Sequence, residues 1–208
     1  MAQRQRVISG RIRSEHIVQL FDAPESRAAG VASFIEEALA QHRRVLAVVT
    51  QSHWWEIANE LERRGVDVAR GEANGALTVV DAARELSKVM RDDGPMHDLF
   101  RSNMATCVAR LADTPNLPLH VYGEMVDLLA ERGDFLSTME LEEYWNELAR
   151  EHSLIILCAY SSAHFGPERS APALHAICRA HSKVQTRISD PLGAWLTASV
   201  SHGSTPTL

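Results

Sequence analysis

Seven side chains of this sequence combine a chemically capable type with a place at the end of an apolar run. Gln51, His53 and Trp54 follow or begin just after VLAVVT (45–50), Tyr122 and Glu124 end and follow the run that starts at Leu119, and Cys158 and Tyr160 lie in LIILCAY (154–160). Each run is short and apolar, the pattern of a parallel strand buried under helices on both faces. The carboxyl edge of such a sheet is where open α/β folds bind ligands. Gln51, His53, Trp54, Tyr122, Glu124, Cys158 and Tyr160 are therefore the expected ligand-binding set, with no catalytic and no metal-ligating role expected.

The chemistry open to each differs. Glu124 comes directly after its strand, where a carboxylate either accepts hydrogen bonds from a ligand or neighbouring amides or favours the start of the next helix through its charge. Strand alternation puts Cys158 and Tyr160 on one side. A buried cysteine behaves as a small hydrophobe; a reactive thiol needs a cation beside it, which His16, His53 or His181 supplies only if the fold brings it there. One of Trp54 and Trp55 is expected in the core and the other as a pocket wall, because a small organic molecule needs an aromatic cavity with a few polar anchors.

Other chemistries lack their motifs. A phosphate-cradling loop needs glycines and a Gly-Lys-Ser/Thr ending, but residues 51–55 read QSHWW, and the two lysines, Lys88 and Lys183, follow no glycine-rich loop. No serine nucleophile elbow, Ser/His/Asp order or His-Glu-x-x-His motif is present. The histidines of HAICRAH (175–181) do not have the i, i+4 spacing of a helical zinc pair. Cys107, Cys158 and Cys178 have no Cys-x-x-Cys spacing, so neither a disulfide framework nor a zinc knuckle is indicated. The ten histidines are scattered, and most are expected as surface or cap residues.

The elements that must position these residues alternate between strand and helix, which argues for a βαβ sheet. HIVQLFD predicts a strand; 24–41 predicts a helix with Val31, Phe34, Ile35, Ala38 and Leu39 on one face. The run 45–50 is expected to be central. Residues 54–64 predict a helix closed by Gly65, 66–69 a short strand, and 76–81 a strand or edge segment whose Asp81 caps the following helix. Residues 96–112 predict one long amphipathic helix with Cys107 in the core. Two helices separated near Gly133 follow the strand at 119–122. In the second, Leu141, Tyr144, Trp145 and Leu148 form the apolar stripe, and Glu140, Glu142, Glu143 and Glu147 are expected on a solvated face. A strand at 154–160, a helix at 173–181 and a strand at 183–188 complete the order.

Composition bounds the rest. With 208 residues, 45% hydrophobic and 23% charged, the chain has the profile of one ordinary globular domain. A net charge of -6 argues against direct nucleic-acid binding. The arginines at 4, 6, 11 and 13 are expected on a solvated arm. No apolar run reaches the roughly 18 residues of a membrane span, and the start lacks a secretory signal, so a cytoplasmic location is expected. The domain is expected over 15–190, between a flexible basic arm (1–14) and a flexible tail (191–208).

In the order HIVQLFD, VLAVVTQSHWWEI, LTVVDA, HVYGEMVDLL, LEEYWNELA, LCAY and HAICRAHSKV, the sequence resembles the MEDS domain, the sensory domain of methanogens and methylotrophs, over roughly His16 to Val184. Tyr122, Gly123 and Glu124 match the family's tyrosine-glycine-glutamate word. The resemblance implies a three-layer α/β fold with a RecA/KaiC-like, mostly parallel central sheet, helices on both faces and no phosphate-binding loop, and it implies sensing of small hydrocarbon derivatives. The expected function is a noncatalytic small-molecule sensing and signal-transduction module with a degenerate nucleotide-binding site. The alternatives are a nucleotide-binding or NTPase-like enzyme with an atypical loop, and a cysteine-based redox or metal sensor. Relatives are often fused to DNA-binding or histidine-kinase modules, which the sequence does not resemble, so the signal is expected to reach a separate regulatory protein, with transcription as one destination and a homodimer as one route. The cofactor is unknown from sequence.

Overall fold

Buried β-branched runs and amphipathic helices alternate along the chain as the periodicity requires. The computed structural model describes residues 14–112, 117–166 and 170–185. In chain order the elements are β1 (Glu15–Phe21), α1 (Pro24–Ala40), β2 (Val45–Val49), α2 (Gln51–Arg63), α3 (Val68–Ala73), β3 (Leu77–Asp81) and α4 (Ala82–Val89). A two-residue hairpin, β4 (Met90–Arg91) and β5 (Gly94–Pro95), leads to α5 (His97–Phe100), a π turn (Arg101–Ala105) and α6 (Thr106–Leu111). Then come β6 (Leu119–Gly123), α7 (Met125–Glu131), α8 (Phe135–Glu151), β7 (Leu154–Ser161), α9 (Ala171–Ala180) and β8 (Lys183–Gln185).

Six strands form one sheet in the order β3-β2-β6-β7-β1-β8, and every pairing in it is parallel. The chain moves one way across the sheet from β1 to β2 to β3, and the other way from β3 to β6 to β7 and from β7 to β8. Right-handed crossovers therefore send α1 to α3 to one face and α4 to α9 to the other. Two cores result. Val31, Ile35, Ile57 and Leu61 pack with Val45, Ala47 and Tyr122 on the first face; Leu86, Phe100, Trp145 and Ile177 pack with Val48, Val121, Ile156 and Cys158 on the second. This is the expected three-layer α/β arrangement. Neighbouring strands that send their chains to opposite faces, β2 beside β6 and β7 beside β1, create the switch points where a crevice opens at the carboxyl edge.

Several expectations change in the structure. β2 is an interior strand, buried along its length, but the middle of the sheet is β6 and β7. Residues 66–69 do not form a strand: the Asp67 carboxylate accepts from Arg70 N at 2.9 Å and caps α3 instead. The helix predicted over 96–112 is interrupted by the π turn, and Cys107 is only half-buried against the core. The cap at Asp81 is present, with Arg84 N donating at 2.7 Å. Gly65 and Gly133 end their helices at φ 84° and 73°, in the left-handed region that glycine enters without strain. The predicted basic arm up to residue 13, the tail from 191 and the strand end at 186–188 lie outside the described residues.

His120 on β6 shows the cost of placing an ionisable group in this sheet. It is buried beside the Phe34 ring of α1, with centroids 5.2 Å apart. Burial, assisted by the Arg43 charge, lowers its pKa to about 4. An unfolded histidine titrates near 6.5, so between these values the unfolded chain binds a proton that the folded chain refuses, and stability falls with decreasing pH at about 1.4 kcal/mol per unit from this group. The His120→Leu variant is expected to escape that penalty. Its stability relative to wild type, from urea denaturation, should improve by about 1 kcal/mol per unit as pH is lowered from 6 to 4.5.

Candidate functional site

The carboxyl ends of β2 and β6 are joined around one carboxylate. Glu124 follows β6, is 1% exposed, and extends the ladder by donating its own N–H to Val48 O at 2.9 Å. Its Oε2 accepts from Thr50 N at 2.8 Å, from Thr50 Oγ1 at 3.0 Å and faces His53 Nδ1 at 3.0 Å. Its Oε1 accepts from Tyr122 Oη at 2.6 Å. Burial alone raises a carboxyl pKa, but the bonds from His53, Thr50 and Tyr122 outweigh it and hold Glu124 below its ordinary value. The same burial and the adjacent charge push the Tyr122 phenol well up. Of the two roles open to Glu124, the structure shows the hydrogen-bonded one: it makes no side-chain cap to α7. The carboxylate ties the end of β2 and the first turn of α2 to β6.

His53 is the part of this network that meets solvent. Its side chain is 26% exposed, and with Nδ1 on Glu124 its Nε2 has no partner among the described residues. Gln51 is exposed at the start of α2. Trp54 packs against the core of the first face. Trp55 is 69% exposed and walls a groove of about 260 Å³ between α1 and α2, with Pro24, Glu25, Ala28, Asn59 and Arg63 around it. One indole is thus in the core and the other lines a cavity. The buried Arg27 pairs with Glu56, another residue lining the groove, at 2.9 Å. A larger cleft of about 620 Å³, lined in part by Arg43, Arg44 and Arg70, lies at the opposite, amino edge, away from the switch points.

Cys158 and Tyr160 do not join this network. They share one side of β7, as alternation requires, but that side faces the second core, whereas Tyr122 faces the first. There they meet Glu142 of α8, which is 0% exposed. This corrects the expectation of a solvated glutamate face: Glu142 lies on the buried stripe Thr138, Leu141, Glu142, Trp145 and Leu148. Position on the helix, at i+4 from Thr138 and i−3 from Trp145, was the signal that could have revealed it; the acidic side chain hid it. The Tyr160 hydroxyl donates to Glu142 Oε1, and the Cys158 thiol lies 3.5 Å from Oε2.

Two histidines complete this second cluster. His16 Nε2 stands 3.2 Å from Glu142 Oε2 and 3.3 Å from Cys158 Sγ; His181 Nε2 stands 3.4 Å from Glu142 Oε1, but without hydrogen-bond geometry. None of His16, His120 and His181 is a surface residue, for all three are buried, and His181 is the C-cap residue of α9. His53 is the one of the three named neighbours that the fold keeps from Cys158. Burial raises the Cys158 thiol and the Tyr160 phenol well above their ordinary values, and the Glu142 charge adds to both. Burial opposes charge on Glu142 as well, yet the two histidines hold its pKa low, and the carboxylate in turn raises His181 against the effect of burial.

The Glu124 network yields a stability prediction. Replacing it with Gln keeps the shape but turns part of the acceptor into an NH2 facing donors, so Glu124→Gln is expected to cost on the order of 2–4 kcal/mol in urea denaturation. Tyr122→Phe removes one bond and should cost about 1–2 kcal/mol.

Among the described residues, no helix is long and apolar enough to cross a membrane. A search of curated proteins returns no match. The family model for the MEDS domain, described as the methanogen/methylotroph, DcmR sensory domain, matches residues 15–182, from the first residue of β1 to the residue before β8. The chain therefore belongs to the MEDS family of sensory domains.

Proposed function

We propose that this sensory domain is a noncatalytic receptor for a compact organic molecule, bound in the groove between α1 and α2, and that it passes the signal to a separate regulatory protein. The observation that carries this is the exposed Trp55 indole walling a groove of about 260 Å³ between α1 and α2. An aromatic wall with a few polar groups recognises a small molecule through stacking and orientation. Glu25, Asn59 and Arg63 supply the polar groups, and the volume, just under the usual range of about 300–1,000 Å³, suits a ligand of few atoms.

The neighbouring network supports transmission in place of catalysis. The oxygens of Glu124 are engaged by Thr50, His53 and Tyr122, so this carboxylate fixes α2 against β6 and is not free to take a proton from a substrate. A ligand that binds one spacing of α1 and α2 better than another shifts their population by its differential affinity. The Thr50 and His53 bonds then couple that spacing to β6.

Tryptophan fluorescence and thermal shift against a panel of short alkylamines, alcohols, haloalkanes and carboxylates test this function. At least one class should raise the melting temperature and perturb indole emission. Trp55→Ala should weaken that response more than tenfold while changing stability by no more than about 0.5 kcal/mol, as for an exposed side chain. A response that survives Trp55→Ala, or no response from any class, would sink the proposal.

A further inference from the structure

With its two imidazoles neutral, the second buried cluster has more acceptors than protons. Asn146 Nδ2 donates to Ala180 O at 3.2 Å, which turns Asn146 Oδ1 toward His16 Nδ1 at 2.9 Å. The proton of His16 is thereby placed on Nδ1 and the lone pair on Nε2. His181 Nδ1 faces the Ile177 carbonyl at 2.7 Å, and a carbonyl only accepts, so its proton is on Nδ1 and its Nε2 lone pair also points inward. That Nε2 is buried and has no hydrogen-bond partner. With both imidazoles neutral, two lone pairs and both oxygens of Glu142 converge, and among the described residues the protons reaching them are those of Tyr160 and Cys158; without a metal, the Glu142 charge draws a further proton toward His181. A cation supplies what is missing.

We propose that His16, Glu142, Cys158 and His181 form a binding site for one four-coordinate zinc ion. Their ligand atoms all lie within 4.8 Å of one another. A tetrahedron with Zn–N and Zn–S bonds of about 2.0 and 2.3 Å has edges of roughly 3.3–3.6 Å. The separations of 3.2 Å (His16 Nε2 to Glu142), 3.3 Å (His16 Nε2 to Cys158) and 3.5 Å (Cys158 to Glu142) already have that size. A mixed imidazole, thiolate and carboxylate set suits zinc. Binding releases the thiol proton to solvent; the dication, one thiolate, one carboxylate and two neutral imidazoles then sum to zero charge, as a dry interior requires. Asn146, Ile177 and Tyr160 orient the ligands through their outer atoms, the arrangement by which metal sites fix imidazole tautomers. With four protein ligands and no access to solvent, the ion clamps β1, α8, β7 and the end of α9 and leaves no position for substrate.

The full-length protein, purified without chelator, should carry close to one zinc per chain by elemental analysis. Cobalt added to chelator-treated protein should give the visible bands of a four-coordinate site together with a thiolate charge-transfer band, and should raise the melting temperature. Cys158→Ser should abolish the charge-transfer band, Cys107→Ser should leave it intact, and Asn146→Ala should weaken cobalt affinity by about 10–100-fold. Two results would overturn the site: wild-type protein that copurifies without metal and gives neither cobalt spectrum nor thermal shift, in which case protons alone balance Glu142; or a charge-transfer band that persists in Cys158→Ser. The wild-type titration requires no variant to fold, and none of these readouts depends on the groove at Trp55.

Discussion

A carboxylate taken out of water must be given back the donors or cations that water supplied, and Glu124 and Glu142, the two most deeply buried carboxylates among the described residues, show how this fold does so. Removing an ion from solvent costs several kcal/mol after relaxation, more than any single apolar contact returns. Glu124 and Glu142 are both essentially without exposure, so the polar groups around them are fixed by necessity. Thr50, Tyr122 and His53 converge on the first, Tyr160, Cys158, His16 and His181 on the second. Each set draws on elements far apart in sequence. The connections that a parallel sheet makes only through long crossovers are thus locked by side chains as well as by the ladder.

The two carboxylates differ in how completely they are satisfied. Around Glu124 hydrogen bonds from a hydroxyl, a phenol and a backbone amide, together with a facing imidazole, account for the charge, and one ring, His53, reaches solvent. Around Glu142 the two imidazoles turn Nε2 inward, because their Nδ1 atoms face the Asn146 and Ile177 oxygens. The first is therefore a joint between strand and helix at the carboxyl edge of the sheet. The second is a closed socket in the core, and its positions relative to solvent suit a bound ion better than a diffusing molecule.

Much of the fold was legible because its signals are local. VLAVV is apolar along its whole length and is buried along its whole length; Asp81 starts a helix and Gly65 stops one by their own chemistry. The misreadings arose where one local signal outranked another. Residues 66–69 offer two valines for a strand, but Asp67 supplies a cap and α3 forms. Four glutamates on α8 suggest a wet face, yet helical period places Glu142 among Leu141, Trp145 and Leu148. Residue type and residue position disagreed, and position decided.

The candidate site was legible only by halves for a related reason. Strand alternation fixes which side chains share a face, so Cys158 with Tyr160 followed from sequence; which face of β6 matches which face of β7 depends on the parallel register, Tyr122 beside Leu157 and Gly123 beside Cys158. That register puts Tyr122 and Cys158 on opposite faces, although both precede the same edge. His16 and His181 are separated by nearly the whole domain in sequence, and they meet because β1 lies between β7 and β8 and Ser182 is hydrogen-bonded to His16 at both its N–H and its carbonyl. The sheet order thus does more than cover two cores. It separates a groove that solvent can reach from a charged socket that it cannot.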